Sequence, residues 1–210
     1  MYLCNSMGRK QEIIDTALEI FNKDGYGNVS TYNISKKLEM SQGNLTYHFP
    51  TKQVLINTLA KNMISEIDEF VLNIDNDFSP KDFYNNLYKT FEINLKYKFI
   101  YLNYANIILN DDDLNEYFIQ NSKDRKKLLY SILESFVKNS YTINDEILSQ
   151  NDVLADNINL IAVYWVPESE IYHKSKSKKE IIHHHLSLIF RQFSPYLSEK
   201  GKANLKGIID

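Results

Sequence analysis

Residues 31–49 read TYNISKKLEMSQGNLTYHF, and this stretch decides the fold. Ile34 and Leu38 have the spacing of one short helix, and Leu45 and Phe49 have that of a second. Only a tight turn fits between the two. Short helices joined in this way form a helix-turn-helix, whose second helix enters the major groove of DNA. The stretch therefore predicts a DNA-binding unit.

The second of these helices has an outward face suited to DNA. At about 100° per residue, Leu45 points to the core, whereas Gly43 and Tyr47 fall on the opposite side, with Asn44 and Thr46 beside them. Gly43 allows a close approach to the helix backbone. Tyr47 can donate to a phosphate oxygen while its ring packs on sugars.

Signals on both sides predict two flanking helices. An apolar stripe precedes Gly25, which is a plausible helix end, and Pro50 ends the second short helix. Thr51 can then cap a long fourth helix. Lys52 lies in its first turn, where the helix dipole disfavours a cation by about 0.3–1 kcal/mol. A phosphate beside this helix start would explain the lysine.

The rest of the chain also has helical periodicity, and the fold class predicted is all-α. The polar stretch Asn73–Pro80 is expected to separate the fourth helix from a second helical unit. Further helices are predicted at 80–109, 113–138, 150–166 and 178–194, with a short one after Pro195.

Residues 10–59 resemble the DNA-binding domain of the TetR family of transcriptional regulators. The family pattern S-x-G-x-L-Y-x-H-F-x-x-K is represented here by Ser41, Gly43, Leu45, Thr46, Tyr47, His48, Phe49 and Lys52. Two positions depart from it. Glu39 replaces a turn glycine, at a cost of about 1 kcal/mol if φ is positive there. Thr46 stands where the family often has tyrosine.

The resemblance implies a three-helix helix-turn-helix domain at 8–54 and a larger helical domain at 55–210 for effector binding and dimerisation. It implies phosphate contacts by Ser30 or Thr31, Tyr47, His48 and Lys52. It also implies base contacts by Gln42, Asn44 and Thr46. Packing or ordinary surface exposure is the alternative for Tyr47 and His48.

The second domain is rich in aromatic residues between positions 78 and 118. A candidate effector pocket consists of Tyr88, Phe91, Tyr101, Tyr104 and Trp165. Such a set favours a flat or apolar effector over a highly charged one. Ordinary core packing is the alternative for each of these rings.

The last two long helices resemble the dimer helices of the family. Their apolar stripes are Val153, Leu154, Ile158, Ile161 and Trp165, followed by Ile182, Leu186, Ile189, Phe190 and Phe193. In a two-fold homodimer, two recognition helices lie about 34 Å apart or a multiple of it, so the DNA operator should be palindromic.

Composition narrows the remaining possibilities. The single cysteine allows no internal disulfide, and the N-terminus lacks the apolar segment of a signal peptide, so we expect a cytoplasmic protein without membrane contact. The net charge of −3 neither favours nor excludes DNA binding. His183, His184 and His185 point about 100° apart on a helix and cannot together bind one metal. No cofactor, metal or catalytic motif is predicted.

The sequence thus predicts a sequence-specific DNA-binding regulator. We interpret it as a repressor that a small, mostly apolar or aromatic effector releases from its operator, although an activator is also open. One alternative is a TetR-fold DNA-binding protein without an effector. Another is a helical carrier or enzyme that does not bind DNA.

Overall fold

The computed structural model describes the backbone of residues 2–71 and 77–208, and the side chains within these ranges from Gly8 onward. The regular structure of this part of the chain consists of helices, and it contains no β-strand, only an isolated bridge between Thr142 and Leu197. The all-α prediction is confirmed. Residues 73–76 of the predicted polar boundary lie outside the described residues.

The N-terminal part consists of four helices and one 3-10 turn. These are α1 (Tyr2–Asp24), the 3-10 turn (Tyr26–Asn28), α2 (Thr31–Lys37), α3 (Gln42–His48) and α4 (Lys52–Val71). Ser41 caps α3 by accepting the N–H of Asn44 at 3.2 Å. Thr51 does the same for α4 at the N–H of Val54. Local capping therefore sets where α3 and α4 begin, and the cap predicted at Thr51 is present.

The turn between α2 and α3 contains a strained residue. Glu39 has a φ of 52°, in the left-handed region that glycine tolerates best. Its conformation lets the N–H of Met40 bond to the carbonyl of Ser35 at 3.0 Å and so reverses the chain. Glu39 therefore has the backbone strain that was expected if it replaces a turn glycine.

The C-terminal part adds seven helices and two 3-10 turns within the described residues. They are α5 (Pro80–Lys96), α6 (Lys98–Leu102), α7 (Tyr104–Leu109), α8 (Asp112–Lys138), a 3-10 turn (Glu146–Gln150), α9 (Asn151–Tyr172), α10 (Lys178–Arg191), a 3-10 turn (Ser194–Tyr196) and α11 (Glu199–Asn204).

The single helix predicted at 80–109 is divided in three. Tyr97 and Asn103 leave the helical region, with ψ of 32° and 24°. The freed N–H of Phe99 bonds to the side chain of Asn22 on α1 at 3.0 Å. A contact from the first helix thus compensates for a break that no local glycine or proline causes.

One continuous core joins the two parts, because α4 packs on α5 and α1 packs on α6. Asp111 caps α8 by accepting the N–H of Leu114 at 2.8 Å, and Asp112 and Asp113 occupy its first turn. The three consecutive aspartates therefore begin a helix, where the helix dipole favours negative charge. Among the described helices, none has the length and apolarity needed to cross a membrane.

Candidate DNA-binding face and effector cavity

The outward face of α3 has the arrangement predicted for a recognition helix. Leu45 is completely buried, whereas Tyr47 on the opposite side is 83% exposed. A Cβ added to Gly43 would meet no described atom within 4 Å, so the surface beside it is open. The Tyr47 and His48 rings meet edge to face, with centroids 5.3 Å apart. Nothing in the described fold requires Tyr47 for packing.

Gln42 is held by two hydroxyl groups of α2. Its Nε2 donates to Thr31 Oγ1 at 2.9 Å, and its Oε1 accepts from Ser35 Oγ at 3.3 Å. Ser35 is buried, and its hydroxyl also contacts the carbonyl of Tyr32 at 3.0 Å. The base-reading candidate Gln42 is therefore oriented before any DNA is present.

The other polar candidates differ in how far their groups are already used. Thr46 Oγ1 donates to the carbonyl of Gln42 at 2.8 Å. Ser30 caps α2, and its hydroxyl donates to Asn33 Oδ1 at 2.6 Å. The side chain of Asn44 is exposed. Phosphate contact by Ser30 or Thr31 and base contact by Thr46 stay predictions.

Lys52 has a partner within the protein, which the sequence did not indicate. Its Nζ donates to the carbonyl of Tyr26 at 2.5 Å and lies 4.3 Å from the centre of the Tyr26 ring. Partial burial lowers the pKa of the lysine amine from its ordinary value. A carbonyl and an aromatic face therefore already stabilise this cation, and the presence of Lys52 alone no longer requires a phosphate.

A cavity of about 210 Å³ lies between α4, α5, α8 and α9. Most of its wall is aliphatic or aromatic, and it includes Ile64, Ile67, Phe83, Leu87, Phe118, Leu129, Ile132, Ile158 and Ala162. Tyr101 and Tyr104 also line it, as two of the five predicted pocket residues. Their rings stack with centroids 6.3 Å apart.

Three of the five predicted pocket residues do not line this cavity. Phe91 and Trp165 are almost completely buried and stack on each other at 4.6 Å, so their rings fill the core. Tyr88 packs instead against the ring of Tyr84, 6.2 Å away. Aromatic content alone could not distinguish residues that line a cavity from residues that fill the core.

The deep polar groups of the cavity are neutral. The hydroxyl of Tyr101 donates to Asn94 Oδ1 at 2.7 Å, and Asn94 Nδ2 donates to the carbonyl of Ala162 at 3.3 Å. Burial raises the pKa of Tyr101, and it raises the pKa of Tyr104 to about 12. Both phenols are therefore hydrogen-bonding groups without charge at physiological pH.

Charged side chains occur in the cavity wall only as members of ion pairs, among the described residues. Arg125 of α8 pairs with Asp68 of α4. The neighbouring Lys126 pairs with Asp152 at 3.0 Å and Asp156 at 3.5 Å, both on α9. Arg125 thus reaches α4 and Lys126 reaches α9, and both cations are paired with carboxylates.

Most residues of the stripes predicted for dimerisation face inward, but Val153 is exposed. Leu154, Trp165, Ile182, Leu186, Ile189, Phe190 and Phe193 are buried within the protomer. An exposed apolar row on α9 begins at the same Val153 and continues with Leu160, Tyr164 and Ile171. Its spacing of seven, four and seven residues is that of a helix-packing seam. Leu188 on α10 is exposed as well.

The three consecutive histidines of α10 diverge. His183 Nδ1 lies 3.2 Å from the hydroxyl of Tyr84, and His185 Nε2 lies 2.9 Å from Glu168 Oε2. His184 instead packs its ring 5.0 Å from that of His173. Within the described residues, no group of three histidine, cysteine or acidic side chains is placed to hold a metal ion.

A helix-turn-helix head with an open recognition face, followed by a helical body, defines a class of DNA-binding regulators. Residues 13–59 match the family described as bacterial regulatory proteins, tetR family, and residues 62–205 match TetR, bacterial transcriptional repressor. The chain therefore belongs to the TetR family of transcriptional regulators.

Individual relatives agree with this membership. The biofilm operon icaADBC negative transcriptional regulator IcaR of Staphylococcus epidermidis is 28% identical over 95 residues, 44% of this chain and 51% of IcaR. QacR of Staphylococcus aureus is 47% identical over 49 residues, 23% of this chain and 26% of QacR. The matches thus span about half of IcaR and a quarter of QacR.

A solved structure extends the likeness to nearly the whole chain. A TetR-family regulator from Marinobacter aquaeolei VT8 superposes with a TM-score of 0.83 at 19% identity, over 93% of this chain and 95% of that one. At this identity the likeness concerns the fold.

Proposed function

We propose that this regulator is a cytoplasmic repressor, which binds a palindromic operator as a homodimer and is released by a small, mostly apolar effector. Residues 8–54 bind DNA, and residues 55–210 bind the effector and dimerise. The observation that carries the proposal is the exposed Tyr47 opposite the buried Leu45 on α3, because its hydroxyl is then free to donate to a DNA phosphate while its ring packs on sugars. The repressor role is supported by IcaR, which is named a negative regulator.

Dimerisation is supported by the exposed row on α9. Val153, Leu160, Tyr164 and Ile171 would be left in water in a monomer, and a second copy related by a two-fold axis can cover them. The same axis would place two α3 helices on successive major grooves of the DNA.

Effector binding is supported by the cavity. Its wall combines aliphatic side chains with the phenols of Tyr101 and Tyr104, and its charges are already paired. Apolar lining with a few neutral polar groups suits a small molecule of low charge. Binding could change DNA affinity about 5–150-fold for a coupling of 1–3 kcal/mol.

The first experiment is selection of random duplex DNA by the purified protein, in parallel with Tyr47→Ala and the control Tyr130→Ala. Tyr130 is an exposed tyrosine of α8, outside the proposed DNA face. We expect the wild type and the control to enrich one palindrome, and Tyr47→Ala to enrich none. Failure of all three at low and moderate salt would contradict sequence-specific binding.

The effector is tested separately on the selected operator. Small apolar compounds are screened for release of the protein from labelled DNA. A protein that binds the palindrome and is released by none of them would favour a DNA-binding protein without an effector. Tight binding of an apolar compound without any DNA selection would favour a helical carrier.

A further inference from the structure

Gln42 is the only predicted base-reading residue whose carboxamide is bonded through both its oxygen and its nitrogen to described side chains. Thr31 Oγ1 accepts one of its two N–H groups at 2.9 Å, and Ser35 Oγ donates to its oxygen at 3.3 Å. These contacts hold the carboxamide in one place beside α2. Because a hydroxyl can donate or accept, they fix the position of the amide and not which end of it is donor. The position is set by α2, not by α3 itself.

Two hydrogen-bonding positions of this amide stay free. A glutamine side chain has two N–H donors and two lone pairs on its oxygen, and α2 uses one of each. The remaining N–H and lone pair belong to a side chain that is exposed at the start of α3. A donor and an acceptor on one amide complement adenine, which presents N7 as acceptor and N6–H as donor in the major groove.

We propose that Gln42 reads an adenine in each operator half-site, and that Thr31 and Ser35 are positioning residues that fix its carboxamide for this task. This inference rests on the proposed DNA-binding function. It assigns Thr31 a role different from the predicted phosphate contact. Ser35 is buried, with its hydroxyl between the Tyr32 carbonyl and Gln42, so its position is set by the packing of α2.

Pre-orientation has a measurable consequence. A free glutamine must lose side-chain entropy when it contacts a base, whereas one already held by two hydrogen bonds loses less. The held side chain therefore gains more from its matching base. A good bidentate contact discriminates by 1–3 kcal/mol, or about 5- to 150-fold in affinity. Loss of the Thr31 hydroxyl should reduce discrimination at this base pair more than it reduces the affinity for DNA in general.

The test uses the operator selected by the wild-type protein. Each base pair of both half-sites is substituted in turn, and dissociation constants are measured at fixed salt for wild type, Gln42→Ala, Thr31→Val and Thr31→Ser. We expect one A·T pair per half-site at which the wild type discriminates about 5- to 150-fold and Gln42→Ala does not. Thr31→Val should lose several-fold of this discrimination, and Thr31→Ser, which keeps the hydroxyl, should retain it.

A matched control separates positioning from stability. Thr58→Val makes the same chemical change on α4, where the hydroxyl only bonds to the carbonyl of Val54. It should leave discrimination unchanged. Thermal unfolding of each variant identifies any loss of fold, and a Thr31→Val protein that is folded but less selective supports the proposal.

The results that overturn the proposal differ from those that overturn the function. Suppose that the wild type selects a palindrome. If Thr31→Val then discriminates between bases as well as the wild type, the positioning role is wrong, and if Gln42→Ala loses discrimination only at a G·C pair, the assignment of adenine is wrong. DNA binding stands in both cases. If the wild type selects no sequence, the proposed function fails and this inference fails with it.

Discussion

The side chain of Asn22 on α1 accepts the backbone N–H of Phe99 on α6 at 3.0 Å. Its Nδ2 also donates to the carbonyl of Lys96 at 2.8 Å, and the adjacent Phe21 packs its ring 5.1 Å from that of Phe99. Two residues further along α6, Tyr101 lines the cavity. One short helix therefore contacts both the DNA-binding head and the proposed effector site.

Substitution Asn22→Ala should weaken the junction between head and body. It leaves the buried N–H of Phe99 without its acceptor, which costs about 1–3 kcal/mol. We expect urea unfolding to give a free energy of unfolding lower by this amount. The control Asn110→Ala removes only exposed contacts to Asn106 and should change stability by less than about 0.5 kcal/mol. Equal stability of the two variants would show that the junction contributes little.

Substitution Glu39→Gly should stabilise the protein. Glu39 has a φ of 52°, and a left-handed conformation costs a residue with a Cβ about 1–2 kcal/mol. Glycine avoids this cost but loses more entropy on folding, so we expect a net gain of about 0.5–1 kcal/mol. Chemical denaturation measures it.

The control for this prediction is Glu39→Ala, which removes the carboxylate and keeps the Cβ. It should gain nothing. A similar gain in both variants would assign the effect to the charge and not to the backbone.

The helix-turn-helix was predictable because its signals are local. Ser41 and Thr51 cap helices whose first turns follow them directly, and Leu45 and Tyr47 are separated by the geometry of a single helix. The sequence pattern of this segment therefore determines which side chains of α3 face outward and which face the core.

The lining of the cavity was only partly predictable, because it depends on contacts between residues far apart in the sequence. Tyr101 lines the cavity and Phe91 fills the core, although both are aromatic residues of one predicted helix. Their different roles follow from the break at Tyr97, and the partner that compensates for that break is Asn22, on another helix. No local pattern contains such a contact.

Stability should fall on acidification through His184. Burial lowers the pKa of this histidine from its ordinary value of 6.5, and neighbouring His185, Lys176 and His173 lower it further, against an opposing effect of Glu168. The unfolded chain therefore binds more protons than the folded one near and below this value, and the free energy of unfolding must increase with pH there. The stabilisation is present above about pH 6.5 and is lost below it.

Urea unfolding at several pH values measures this dependence. His184→Gln should show a shallower increase of the free energy of unfolding between about pH 5 and 7 than the wild type. His48→Gln removes a histidine of the DNA-binding head, outside this cluster, and should retain the wild-type contribution of His184. An unchanged slope in His184→Gln would exclude His184 as its source.

Filling the cavity should abolish binding of an apolar probe. Ala162 lines the cavity beside Asn94, and a phenyl ring at this position would occupy space needed by a ligand. We expect N-phenyl-1-naphthylamine, an uncharged dye that fluoresces in apolar surroundings, to bind the wild type and to bind Ala162→Phe at least about tenfold more weakly, equivalent to 1.4 kcal/mol.

The added ring can cost about 1–3 kcal/mol of stability, so circular dichroism must show that the variant is folded. Ala105→Phe adds the same ring on the exposed side of α7 and should bind the dye as the wild type does. Equal affinity of all three proteins would place the dye outside the cavity and remove the support that the cavity gives to an effector.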